Sequence, residues 1–234
     1  MSGHSKWSTI KRKKGVADSK RSNQFTKLAR AITIAAKESK NLDLAIEQAK
    51  KANMPKENIE RALQRGLGEL GGEEINSMSY ESYGPGGIGI IIDVLTDNKN
   101  RSLSEIKSVL NKYNGKLASS GAVSYLFDQE GVVQFKKDGQ TVAGDDLEMI
   151  IIDSGAKNYS IDDGIIYVYT EPKKLSEIKK ALEFKSLKID SAKLQMCPKS
   201  YINLDENKKE SVIKLLTSLE ELDDVSEVYT NADL

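Results

Sequence analysis

Residues able to do chemistry are sparse in this chain of 234 residues, and they are unevenly placed. It has one histidine, His4, and one cysteine, Cys197. That excludes a histidine-rich metal centre, a thiolate cluster and an internal disulfide, and it suits a reducing compartment. His4 sits in a basic start with nothing beside it to make it a general base. Cys197, followed by Pro198 where two expected domains meet, reads as a small packed side chain rather than a nucleophile. The carboxylate pairs Glu73-Glu74, Asp145-Asp146, Asp162-Asp163 and Asp223-Asp224 fall at expected turns and helix ends, where solvated caps are the rule. No nucleophile with its base can be assembled. The expectation is therefore a protein that is not an enzyme, with no catalytic residue, no metal ligand, no cofactor and no small-molecule substrate.

The chemistry that remains is the binding of polyanions. Formal net charge is zero, yet residues 1–65 carry sixteen Lys and Arg against six Asp and Glu, a local +10 balanced by −10 elsewhere. Such a field draws in nucleic acid or an anionic membrane. The candidate contacts are Lys6, Lys11, Arg12, Lys13, Lys14, Lys20, Arg21, Lys27 and Arg30, whose cations can neutralise phosphates and release counterions. Trp7 either stacks on a base or packs on its own domain. A membrane suits the segment less well, because no apolar face accompanies the charges before Phe25. A transit peptide is basic too, but here the stretch runs on into patterned helix without a cleavage-like boundary. The longest apolar stretch, Ile88 to Leu95, is far too short to span a bilayer. A soluble, cytoplasmic protein is expected.

Three further motifs are weaker. Gly66-Leu67-Gly68-Glu69-Leu70-Gly71 spells a dinucleotide fingerprint but follows a helix instead of a strand, so it reads as a helix end and linker. Gly84-Pro85-Gly86-Gly87 precedes a strand and reads as a turn. Thr96 to Arg101 leaves the C-terminal end of a buried strand, where α/β sheets place ligands. Asp97, Asn98, Asn100 and Arg101 could face a partner or ligand there, or could simply turn the backbone and cap the next helix.

These segments need elements to position them. Phe25, Leu28, Ile32 and Ala35 predict a helix over 24–40, followed by helices over 42–52 and from Pro55 to Gly66. Residues 66–76 read as a linker. Beyond it the pattern predicts a strand over 88–95, a helix over 102–113 with a Ser102/Glu105 capping box, and a strand over 122–128. The order β-α-β-β-α-β follows over 131–196, and the chain closes with a strand over 200–204, a helix over 206–222 and a strand over 225–230. The expected fold class is α+β: a small helical domain with its linker at 1–76, a discontinuous ferredoxin-like domain at 77–129 plus 198–234, and a second ferredoxin-like domain at 130–197 inserted into it.

Longer motifs carry a resemblance. Gly3-His4-Ser5-Lys6-Trp7, Asp18-Ser19-Lys20-Arg21, Asn53-Met54-Pro55-Lys56 with Ile59-Glu60-Arg61-Ala62, Tyr80 to Gly87, Leu95-Thr96-Asp97-Asn98 and the ending Asp223-Asp224-Val225 resemble the YebC/PmpR family from end to end. The resemblance implies a three-domain, non-enzymatic cytoplasmic protein, described in that family as a transcriptional regulator binding promoter DNA. It implies a competing role as well. Mitochondrial relatives are translational activators of cytochrome c oxidase synthesis, and bacterial ones are linked to ribosomes stalled on proline-rich nascent chains, which would place the basic segment on ribosomal RNA. The start at the family's first motif reads as bacterial in type. Ala31, Ser82 and Ser119-Ser120-Gly121-Ala122 depart from the family pattern, Ser82 standing where glycine is usual. DNA and RNA remain open as targets, since no heptad or helix-turn-helix signature is visible.

Overall fold

In the computed structural model, residues 18–71, 74–142 and 144–234 are described, with side chains from residue 23 onward. Helix α1 spans Asp18–Glu38, opening earlier than the apolar pattern alone predicts. Its stripe of Phe25, Leu28, Ala29 and Ile32 packs against α2 (Leu42–Lys51) and α3 (Lys56–Gly66) around Ala49, Met54, Ile59 and Ala62. At 10 and 11 residues, α2 and α3 are too short to be stable without such packing. The Thr33 hydroxyl, 6% exposed, donates to the carbonyls of Ala29 and Ala62 and so ties α1 to α3. Gly66 marks their closest approach: a Cβ there would stand 2.4 Å from the Thr33 carbonyl oxygen, so only glycine fits.

The first sheet has the order β3-β1-β2-β9, formed by β1 (Asn76–Tyr83), β2 (Gly89–Thr96), β3 (Lys116–Leu117) and β9 (Val225–Thr230). Ile88, Ile90, Ile92 and Val94 face α4 (Lys99–Lys112) and α7 (Glu206–Glu220), burying Ile106, Leu110, Leu215 and Leu219. Between β3 and α7 the chain builds a second sheet, order β5-β6-β4-β7. Its strands are β4 (Phe127–Lys136), β5 (Asn158–Asp162), β6 (Ile165–Thr170) and β7 (Ser191–Pro198), every neighbouring pair antiparallel. Helices α5 (Asp145–Asp153) and α6 (Leu175–Phe184) cover it over a core of Phe135, Ile151, Ile166, Val168 and Leu182. The fold class is thus mixed, a helical segment followed by two sheet-containing α/β domains, and the second sheet has the ferredoxin-like strand order.

Several elements differ from the sequence expectation. β1 lies in a stretch for which the sequence predicts no strand and forms a hairpin with β2, Tyr83 opposite Gly89. The strand expected at 122–128 is a turn leading into β4, and the expected 200–204 strand is only β8 (Ile202–Asn203), paired with β10 (Ala232–Asp233) outside the main sheet. Two-residue β3 takes the outer place instead, beside β1. Helix α4 starts three residues before Ser102, so the expected capping box is not one. The Asn98 side chain accepts from the Arg101 amide at 3.1 Å, and Ser102 is buried inside the first turn.

Ser82, fully buried on β1, has the only buried side-chain polar atom among the described residues without a hydrogen-bond partner. A hydroxyl stripped of water and left unpaired costs about 1–3 kcal/mol. Ser82→Ala is therefore expected to raise stability by about 1 kcal/mol in urea unfolding, and a loss instead would show that the hydroxyl is satisfied in solution.

Candidate nucleic-acid interface

The β2–α4 connection is built inward. Asp224, at the start of β9's approach, is 3% exposed and collects donors from three elements. Thr96 Oγ1 lies 2.9 Å and Ser102 Oγ 2.6 Å from Asp224 Oδ2. Arg101 Nη2 reaches the same carboxylate oxygen at 2.8 Å and Asp97 Oδ1 at 2.8 Å. From α1, Arg30 Nη1 donates to Asp224 Oδ1 at 2.6 Å and to the Asp223 carbonyl at 2.9 Å. Burial by itself would raise the Asp224 pKa, but the hydrogen bonds from Ser102, Arg101 and Thr96 and the charge of Arg30 outweigh it and bring it to about 2. Arg101 is held more firmly charged by the same contacts. Of the four loop residues singled out from the sequence, Asn98 caps α4, Asp97 and Arg101 serve this cluster, and Asn100 is exposed.

Arg30 is not alone in turning inward. Lys27 Nζ donates to the Glu220 carbonyl at the end of α7. Farther along the helical domain, Lys51 Nζ caps the Ile189 carbonyl at 2.7 Å, and Glu47 pairs with Lys179 of α6 at 2.8 Å. Basic residues on α1 and α2 thus hold the helical domain against both sheet domains. Lys6, Trp7, Lys11, Arg12, Lys13 and Lys14 lie outside the described residues, as does His4. The backbone of Lys20 and Arg21 is helical, and their side chains are also outside them.

What the sequence reading missed lies on α3. Ile59 and Ala62 face the core, and Asn58, Arg61 and Arg65, at i, i+3 and i+7, run along the flank of the helix beside Ala62. They line a groove of about 580 Å³ between α1 and α3, together with Phe25, Met54 and Asp97. Arg30 also borders it, already held by Asp224. Arg61 and Arg65 are exposed and have no acidic partner among the described residues. Their i, i+4 spacing beside buried Ile59 and Ala62 was a readable signal, overlooked because the basic run nearer the start dominated the charge count. Cys197 is buried, and burial with the nearby charge of Glu130 pushes its thiol pKa up, away from nucleophilic chemistry. Among the described residues no helix is long and apolar enough to cross a membrane.

Comparison with known proteins covers the whole chain. The TACO1/YebC protein N-terminal domain matches residues 5–69, and the TACO1/YebC second and third domain matches residues 75–232. A protein of Dehalococcoides mccartyi strain CBDB1 named as a probable transcriptional regulatory protein is 44% identical over 240 aligned residues, covering 100% of this chain and 95% of the relative. A protein of the same description from Thermoanaerobacter pseudethanolicus is 43% identical, covering 100% and 98%. The crystal structure of a conserved hypothetical protein from Aquifex aeolicus superposes with a TM-score of 0.86 at 40% identity, over 92% of this chain and 91% of that one.

Proposed function

The chain belongs to the TACO1/YebC family, and from that premise we propose that it is a non-enzymatic regulator of gene expression that binds nucleic acid through its basic helical domain. The names of its relatives, probable transcriptional regulatory proteins, support action on transcription, and on that reading the proposed partner is promoter DNA. The observation that carries the proposal is the charge division: +10 over residues 1–65, including the exposed guanidinium groups of Arg61 and Arg65, which have no acidic partner among the described residues, against an acidic body. A second reading, action on RNA at the ribosome, is favoured by the concavity of that site. Major-groove readers present a protruding helix or ribbon, whereas Arg61 and Arg65 line a hollow.

Replacing Lys11, Arg12, Lys13 and Lys14 by alanine tests the proposal. Affinity should fall about equally for every sequence, and the slope of log affinity against log salt should flatten by about 3 to 4 on duplex DNA if each residue meets one phosphate. Unchanged affinity and slope would place the polyanion site elsewhere. Sedimentation of the protein with ribosomes, in a manner abolished by ribonuclease, would select the second reading. Recovery of one enriched DNA segment, without ribosomes, would select the first.

A further inference from the structure

We infer that the groove between α1 and α3 is a site for an unpaired nucleic-acid strand, which sets its phosphates on Arg61 and Arg65 and one base against Phe25. This rests on the nucleic-acid reading above and names the form of nucleic acid that the groove takes. Four features converge on it. The two exposed guanidinium groups stand one helical turn apart, within reach of successive phosphates. The Asn58 amide lies on the same face, half-buried, with no hydrogen-bond partner for its side chain among the described residues. It therefore offers a donor and an acceptor together, which is what the edge of a base requires. Phe25 supplies a ring in the lining, and Met54 a polarisable neighbour. The volume, about 580 Å³, falls in the range of open clefts that take a ligand.

Electrostatics gives the site a direction. Arg30, held by Asp224 and the Asp223 carbonyl, forms a fixed cationic wall on the α1 side. Asp97, the one lining carboxylate among the described residues, is bound to Arg101, so the free charge of the groove is cationic and lies along α3. A polyanion would lie along α3, away from Asp97. A duplex cannot use the Phe25 ring, because its bases are stacked and paired inside, and flipping one out costs a few kcal/mol. A single strand presents base faces and phosphates at once, and every base has a face to stack, so the contact is tolerant of sequence.

The test uses the full chain and fluorescence anisotropy with one 12-nucleotide sequence as single-stranded RNA, single-stranded DNA, duplex RNA and duplex DNA. Single strands are expected to bind at least tenfold tighter than duplexes. R61A/R65A should remove most of that preference and flatten the salt slope on single strands by about 1.4, at roughly 0.7 per phosphate. Both positions are exposed, so the variant's circular dichroism should match the parent's. Asn58→Ala should weaken single strands and leave duplexes unchanged. A strand carrying 4-thiouridine should photocrosslink to a peptide from α1 or α3. A preference for RNA over single-stranded DNA would add contact with the 2′-hydroxyl, and equal binding would leave phosphate and base as the features read; both support the site. Duplex bound as tightly as single strand with R61A/R65A affecting both alike, or crosslinks confined to other elements, would overturn the groove and leave nucleic-acid binding intact. Absence of binding to all four probes would defeat the groove and the proposed function together.

Discussion

Asp224→Ala is expected to cost about 3 kcal/mol of folding stability, the low end of the penalty for breaking a buried ion pair, because one partner, Arg101, is still 43% exposed. The carboxylate itself is 3% exposed, and its removal takes the charged acceptor from Thr96, Ser102 and Arg30, leaving Arg30 only the Asp223 carbonyl and Ser102 only the Asn98 carbonyl and the Thr96 hydroxyl. Chemical unfolding measures the loss, and hydrogen exchange localises it. The amides of α1 should exchange faster, since Arg30 and Lys27 are its ties to the end of α7 and the start of β9. The pH profile supplies an independent check. A carboxyl lowered to about 2 in the folded state contributes stability that is fully present above its unfolded value near 4 and is lost as pH falls toward 2. Wild type should therefore lose on the order of 2 kcal/mol over that window, and Asp224→Asn should show a shallower fall. Identical acid profiles, or a loss below about 0.5 kcal/mol in the alanine variant, would mean that the cluster does not clamp the domains.

Glu81→Ala is expected to cost a comparable amount, about 3 kcal/mol, from a different kind of contact. Glu81 is 8% exposed on β1, and its two oxygens accept from the backbone amides of Gly121 at 2.7 Å, Val123 at 2.6 Å and Ser124 at 2.9 Å. Burial opposes its charge, but the hydrogen bonds from Val123, Gly121 and Ser124 prevail and hold its pKa below the usual carboxylate value. This contribution too is present at neutral pH and fades as acid protonates the group. Truncation strands three amides in a turn that Val123, fully buried, anchors beside Phe127 and Tyr229. Glu81→Gln keeps one accepting oxygen and should lose less. Exchange protection at 121–124 is the sensitive reading, and unchanged protection in Glu81→Ala would refute the role.

Those two carboxylates show where sequence reasoning stops. The strands over 88–95 and 225–230 and the β-α-β-β-α-β order over 131–196 were legible because a run of β-branched residues, or an apolar stripe, declares its element locally. β1 was not: Asn76-Ser77-Met78-Ser79-Tyr80 places only Met78 and Tyr80 on the buried side, and its place is set by pairing with β2 on one edge and β3 on the other. Asp223-Asp224 read as a solvated pair at a turn. Nothing local distinguishes it, since Arg30 lies 194 positions away and Arg101 lies 123. The expected capping box failed for the same reason, as Ser102 spends its hydroxyl on Asp224. The basic character of the helical domain was plain from the charge count, but which cations face outward was not, because inward pairing with carbonyls such as those of Glu220, Asp223 and Ile189 leaves no mark in the sequence.

The second sheet interrupts the first at little thermodynamic expense. Phe127 and Pro198 face each other at one end of the β4–β7 ladder, so the segment between them starts and finishes with its ends about 5 Å apart. β2 must still find β9 across about 130 intervening residues, against about 55 if that segment were absent, and the logarithmic growth of closure entropy makes the difference only about 0.7 kcal/mol. That is smaller than a typical single helix cap. If β4 and β7 pair before β2 meets β9, the inserted length drops out of the larger loop and even that difference shrinks. A whole folding unit can therefore sit inside another's crossover connection for less free energy than a single well-placed serine contributes.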